Sequence, residues 1–230
     1  KMDRMGTDFD NVIDMMKKRL GANPLPLTIP IGAGELFNGV IDLMDMKAIV
    51  YNEISFGAHY DFIEIPDDMK AAAEEARHHL VEECAAYDEN LLEKYLAEEE
   101  ITHDEIKNSL RKGCLENAFI PVICGSAFKN KGIQRVLDSV VDLLPSPLDI
   151  PEVIGHMPED SDVLLSRSPS NDDHFSALAF KIMTDPYVGR LTFFRVYSGE
   201  LEAGTTVLNA ATGRKERIGR LLLMHADKRE

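Results

Sequence analysis

No stretch of the 230 residues approaches the roughly 18 consecutive apolar positions that a membrane-spanning helix needs. No basic-then-apolar leader opens the chain, so a soluble protein without membrane contact is expected. The three cysteines, Cys84, Cys114 and Cys124, are odd in number, stand far apart and form no Cys-x-x-Cys pair. That spacing argues against both a zinc site and a disulfide framework and makes a reducing cytoplasm the expected location. No Gly-x-x-x-x-Gly-Lys-Ser/Thr loop occurs, so the chain has no ready cradle for the phosphates of a nucleotide. Positive charge is scarce too, with 25 Lys and Arg against 40 Asp and Glu and a net charge of −15.

Hydrophobic residues make up 44% of the chain, enough for the core of one large domain or two modest ones. The charge is unevenly divided. Residues 61–105 hold 16 acidic and 3 basic side chains, a net of −13, whereas residues 174–230 hold 9 basic and 6 acidic, a net of +3. One part therefore repels phosphate while another tolerates or attracts it. An acidic helical run is also compatible with a solvated face that only keeps a protein soluble.

Phe9, Ile13, Met16 and Leu20 recur at helical spacing and stop at Gly21, which predicts a helix ended by a left-handed glycine. From Pro24 to Ile65 the pattern changes to short β-type runs, Leu27 to Ile31, Val40 to Leu43, Ala48 to Tyr51 and Tyr60 to Ile65. Pro66 then opens a long helix with Met69, Ala73, Ala76, Leu80, Cys84 and Tyr87 in one apolar stripe. A short helix around Leu91 to Leu96 follows. Thr102-His103-Asp104-Glu105 has the form of a capping box and predicts a third helix, running to about Lys112. His78 and His79 are adjacent, so they point about 100° apart on a helix and are expected at the surface, not on a metal. Ile120 to Cys124 reads as a buried strand. The helix from Gly132 to Leu144 is expected to carry Ile133, Val136, Leu137, Val140 and Leu144 inward. Residues 145–173, rich in proline at Pro145, Pro147, Pro151, Pro158 and Pro169, read as an extended linker with at most local strand. Beyond them, Phe175 to Met183, Leu191 to Tyr197, Thr206 to Asn209 and Glu216 to Leu223 alternate with glycine turns, as in a small antiparallel barrel.

Two loops carry chemistry. Lys1-Met2-Asp3 opens the chain, and an apolar run from Phe119 to Cys124 empties into Gly125-Ser126-Ala127-Phe128-Lys129. An Asp carboxylate can accept both the N1–H and the exocyclic amine of guanine, a donor pair that adenine does not offer. A Lys two residues earlier can lay its stem on the base, and a Ser-Ala turn can bring a backbone N–H to the guanine O6. The words that follow fall in a definite order: Gly125 through Gly132, then Leu144-Pro145-Ser146-Pro147-Leu148-Asp149, Phe180-Lys181-Ile182 with Asp185-Pro186, Arg195-Val196-Tyr197-Ser198-Gly199, and Met224-His225-Ala226-Asp227-Lys228-Arg229. In that order they resemble the bacterial elongation factor G family of translational GTPases over nearly the whole chain. Asp3-Arg4-Met5-Gly6 also has the Asp-x-x-Gly form of a GTPase switch, but it sits where no switch belongs and is read as coincidence.

The resemblance implies an α/β fold: the C-terminal part of a P-loop GTPase G domain with an α+β G-prime insert, followed by an incomplete antiparallel β-barrel, domain II. Residues 1–24 and 118–147 would belong to the G domain, 25–117 to the insert, 148–173 to a linker and 174–230 to the partial barrel. Lys1, Asp3, Ser126 and Ala127 would bind guanine, with Phe128 and Lys129 beside them. The Asn that usually precedes the Lys-x-Asp triplet and ties the two loops together is missing. In the family, the phosphate loop, switches, Mg²⁺ ligands and water-positioning histidine precede Lys1, and further barrel strands follow Glu230. A cut piece is therefore expected, inactive as a GTPase alone, with open strand edges that could pair with another copy. The parent would be a cytoplasmic ribosomal translocase using GTP or GDP with Mg²⁺, the acidic helices meeting the ribosomal stalk protein and domain II meeting small-subunit rRNA. The alternatives are a related ribosomal protection or release-factor recycling GTPase, or a non-catalytic module that binds the ribosome or its stalk.

Overall fold

Asp8 begins the first regular element of the computed structural model, which describes residues 1–52, 54–55, 57–157, 160–185, 189–225 and 228–229. Its carboxylate accepts the Asn11 N–H at 2.9 Å and caps helix α1 (Phe9–Leu20), with Lys17, Lys18 and Arg19 in the last turn, where the helix dipole favours cations. Gly21 stops the helix at φ 61°, as its sequence predicts. The described residues form two units, Lys1–Leu144 and Pro145–Glu230. Pro158, Pro186 and the Ala226-Asp227 pair of the sequence motifs lie outside the described residues.

In the first unit β1 (Pro24–Pro26) is followed by an antiparallel meander of β2 (Thr28–Ile31), β3 (Gly39–Asp42), β4 (Lys47–Tyr51) and β5 (Tyr60–Ile63), adjacent in that order. Inward positions alternate along the strands: Ile41 and Ala48 belong to one buried cluster, Val40, Ile49 and Tyr51 to another. After Pro66 and a 3-10 turn, α2 (Lys70–Ala85) buries Ala73, Leu80, Val81, Cys84 and Ala85. Asp88 caps α3 (Glu89–Leu96) by accepting the Asn90 and Leu91 N–H groups. Thr102 and Glu105 form the capping box of α4 (His103–Leu115), which runs a little beyond Lys112. The core of Leu25, Leu27, Leu43, Leu80, Leu110 and Phe119 is shared by the insert and the segment that follows it.

Three expectations need correction in this unit. The 24/25 boundary cuts through β1, which pairs in parallel with β6 (Ile120–Val122); two prolines hid this strand, and it tolerates them because β6 is its only partner among the described residues. For the same reason β6 is not buried, and Ile120 is 46% exposed. Helix α5 (Ile133–Leu143) turns away from the expected side. Val136, Leu137, Val140 and Leu144 are all exposed, while Leu143 is buried, Arg135 pairs with buried Asp42, and Arg111 donates to the Asp142 carbonyl at 2.7 Å.

The second unit consists of antiparallel pairs. β7 (Val153–Met157) pairs with β8 (Asp160–Arg167), so a hairpin occupies much of the expected linker. β9 (Ser176–Asp185) pairs with β10 (Gly189–Ser198), and the register shifts twice, at Phe180 on β9 and at Tyr197 on β10. β11 (Thr206–Asn209) pairs with β12 (Arg214–Arg217), and β13 (Met224–His225) with β14 (Lys228–Arg229). The strand expected from Glu216 to Leu223 ends at Arg217. Its partner β11 is only four residues long, and after Ile218 has bonded Gly204 and Thr205 nothing continues the ladder. Among the described residues these pairs do not close into a barrel. Leu178, Phe180 and Ile182 of β9 are exposed.

Candidate functional site

Ser126 is fully buried, and its hydroxyl hydrogen-bonds to the Asp3 carboxylate at 2.7 Å, joining loops 123 positions apart. This bond, ahead of the nearby Arg4 charge, holds the Asp3 carboxyl below the usual carboxylate range. The loops also meet through their backbones, the Lys1 nitrogen and the Met2 N–H both donating to the Gly125 carbonyl at 3.0 Å. The Ser126 hydroxyl in turn accepts the Lys129 N–H at 3.3 Å. Ser126 thus caps its own turn and does not cap α5, whose N-cap is Gly132.

The chain brings together all four residues singled out from sequence. Asp3 and Ser126 touch directly, Lys1 is anchored through its backbone with its side chain exposed, and Ala127 sits exposed at the turn, its carbonyl accepting the Asn130 N–H. Phe128, 93% exposed, and Lys129 project beside them. The arrangement therefore presents a carboxylate held by a buried hydroxyl, an exposed aliphatic-cationic side chain and an open turn on one surface. A shallow depression lined by Met5, Gly6, Thr7, Ala33, Gly34 and Glu35 contains none of the four.

Sequence reasoning missed the residues beneath the loops. Met2 is buried, and its carbonyl accepts the Gly34 N–H at 2.8 Å and the Thr7 hydroxyl at 3.2 Å. Lys131 is 1% exposed, and its ammonium donates to the Phe37 carbonyl at 3.0 Å. The Cys124 N–H donates to the Thr28 hydroxyl at 3.2 Å, and burial pushes the Cys124 thiol up to about 11. Burial likewise pushes the Tyr51 phenol up to about 12. A lysine between Asn130 and Gly132 gives no local signal of burial; only the apolar alternation of β4 hinted at Tyr51. His78 and His79 are exposed, and His78 Nε2 lies 3.0 Å from the Tyr95 hydroxyl. Among the described residues no group of three or more His, Cys, Asp or Glu is placed to hold a metal ion, and no helix is long and apolar enough to cross a membrane.

Comparison with known proteins agrees with this architecture. Residues 1–146 match the family model described as the elongation factor Tu GTP binding domain, and residues 174–230 match elongation factor G domain 2. A curated elongation factor G from Salinibacter ruber is 53% identical across 100% of this chain, which spans 33% of that protein's length. A crystal structure from Thermus thermophilus superposes on 100% of the chain with a TM-score of 0.73 at 24% identity, the match covering 31% of that chain, and shares its fold. With 146 of its 230 residues matched and its C-terminal part matching elongation factor G domain 2, this chain belongs to the elongation factor Tu GTP-binding domain family.

Proposed function

We propose that the chain is the base-recognising part of a GTP-dependent ribosomal translocase of the elongation factor G kind, which moves tRNA and mRNA during protein synthesis in the cytoplasm. The observation that carries this reading is the 2.7 Å bond from Ser126 to Asp3, because it orients the one carboxylate able to accept both the guanine N1–H and its exocyclic amine. The Lys1 stem covers a face of the base, and the Ala127 N–H serves the O6. These residues fit guanine. They do not fit phosphate or Mg²⁺: the sequence has no phosphate loop and the described residues offer no carboxylate cluster. In the whole translocase, Mg²⁺ neutralises charge on the phosphates; the residues described above bind and orient the base.

The divided charge supports two partner assignments. Glu74, Glu75 and Glu82 are exposed on α2, favouring the stalk protein over RNA, and exposed Arg190, Arg195, Arg214, Lys215, Arg217 and Arg220 favour small-subunit rRNA. The same division is what favours the second reading, a module that binds the ribosome or its stalk without catalysis. Asp3→Asn separates the two. In a full-length translocase containing this chain, it should weaken GTP binding and strengthen xanthosine triphosphate binding, since the xanthine O2 accepts from the Asn amide. Unchanged selectivity between these nucleotides, measured by competition, would refute the base-recognition role.

A further inference from the structure

Both base loops bond to one short connection. Between β2 and β3 the chain turns through residues 32–38 and closes that turn on itself: the Leu36, Phe37 and Asn38 N–H groups donate to the Ala33, Gly34 and Ile31 carbonyls, each at 3.2 Å. Gly32, at φ +77°, permits the closure, since a Cβ there would run into the Leu36 carbonyl. One end of the turn reaches the first loop, where the Gly34 N–H donates to the Met2 carbonyl at 2.8 Å, between Lys1 and Asp3. The other end reaches the second loop, where the Lys131 ammonium donates to the Phe37 carbonyl at 3.0 Å. The buried Phe37 side chain belongs to the same cluster as Met2 and Cys124, one residue from each loop or its edge.

We propose that the turn from Gly34 to Phe37 clamps the guanine site from beneath and that Lys131 is its positioning residue: together they hold Met2 and residues 125–132 in register, so that the Ser126 hydroxyl meets Asp3. The clamp takes its significance from the base-recognition reading but its geometry only from these bonds. Lys131 and Phe37 are both buried and would not face a nucleotide. Lys131 acts through its own backbone. Its N–H donates to the Ser126 carbonyl at 3.0 Å and its carbonyl accepts the Ser126 N–H at 2.8 Å, so a shift of Lys131 is carried directly to the residue that holds Asp3. The bond from its ammonium to Phe37 is charge-assisted, and such bonds are stronger than those between neutral groups. The clamp thereby makes the insert part of the base site, because the turn lies inside the insert while both of its bonds leave it.

The test uses Lys131→Met in this chain, which removes the donor and keeps an unbranched side chain of similar length in the buried space. Amide exchange at Ser126 and Asn130 should accelerate by about tenfold, which corresponds to about 1.4 kcal/mol. Exchange in α3, whose Leu91 lies in the other buried cluster, should stay as it is. The Asp3 carboxyl, followed by NMR, should titrate closer to its ordinary value of 3.8 as the Ser126 hydroxyl moves off it. Neither readout requires nucleotide. In a full-length translocase the same variant should narrow the preference for GDP over IDP, which lacks the exocyclic amine; failure of this arm alone would refute base recognition but leave the clamp standing. Should Lys131→Met not fold, Gly34→Ala must give the same loop and Asp3 changes, since it strains the turn at φ +61° yet its Cβ meets nothing closer than the Arg4 carbonyl oxygen at 3.6 Å. Unchanged loop exchange or an unchanged Asp3 titration would overturn the proposal. So would equal acceleration in α3, which would make Lys131 a general core residue.

Discussion

Arg135 lies in the first turn of α5, directly after the base loop, and pairs with Asp42 at the end of β3. Asp42 is 1% exposed; its Oδ1 accepts the Met44 and Asp45 N–H groups at 2.9 and 3.1 Å, and its Oδ2 receives the guanidinium. Replacing Arg135 with Met leaves a buried carboxylate without its countercharge, a change that costs about 3–5 kcal/mol in known cases. The two backbone donors remain, and Arg135 is itself partly exposed, so the lower end, about 3 kcal/mol, is expected, or roughly two powers of ten in the unfolding constant. The chain has no tryptophan, so the assay is urea unfolding followed by helical circular dichroism. All five described α-helices lie in the unit Lys1–Leu144, and the signal reports on that unit alone. Adding Asp42→Asn to Arg135→Met should recover at least half of the loss, because the Asn carbonyl still serves both N–H groups while the buried charge is gone. A loss below about 1 kcal/mol at unchanged denaturant slope, or no recovery in the double variant, would refute the ion-pair argument.

Glu105 gives a pH signature. Its bond from Lys94, followed by those from the Thr102 N–H and hydroxyl, pulls its carboxyl from an ordinary value of 4.5 down to about 2. A folded value below the unfolded one adds stability above about 4.5 that fades as pH falls toward about 2. Glu105→Gln should therefore flatten the decline of helical stability across that window, and an identical acid profile would count against the Lys94 and Thr102 bonds as a source of acid-sensitive stability. For want of a phosphate loop, the chain alone should bind GTP and GDP weakly and hydrolyse neither; a fluorescent-nucleotide titration showing tight, Mg²⁺-dependent binding would contradict this. Reversing Glu74, Glu75, Glu82 and Glu83 to Lys in the full-length translocase should impair stalk-stimulated turnover but spare guanine affinity, although Glu83 also loses its bond from Asn23. Unchanged multiple-turnover hydrolysis at low salt, where attraction is least screened, would reduce α2 to a solvated face.

What the sequence made legible was local. Asp8 and Gly21 bound α1, and Thr102 with Glu105 begins α4, because a cap is a bond between neighbours that needs no tertiary partner. The meander was readable for a related reason: alternation along β3 and β4 marks two covered faces, whichever elements cover them. Prolines misled in both units: β1 contains two, which an edge strand can accept and a central strand cannot, whereas the β7–β8 hairpin looked like linker because of prolines that lie outside its strands, such as Pro151 and Pro169. At the site, Asp3 and Ser126 were identifiable from their loop words. The fastening beneath them, Lys131 to Phe37, joins positions 94 apart and leaves no trace in either neighbourhood.

Helix α5 separates two kinds of information that amphipathicity is often taken to carry together. Its apolar stripe is plain in the sequence, yet Leu137 is 61% and Val141 79% exposed, while the opposite side supplies Arg135 to Asp42 and the Asp142 carbonyl to Arg111. Periodicity states that two sides differ and where each lies around the axis. Which side meets the rest of the unit is decided elsewhere, by partners such as Asp42, whose buried carboxylate needs a cation more than a Leu or Val on α5 needs cover. Each exposed Val or Leu of the stripe forgoes part of about 1.5–3 kcal/mol, and stripping a buried carboxylate of its partner costs about 3–5 kcal/mol, so the summed exposure of Val136, Leu137, Val140, Val141 and Leu144 is comparable with the ion pair. The side of α5 that meets the rest of the unit is therefore marked by its observed polar partners, Asp42 and Arg111, and not by its apolar stripe.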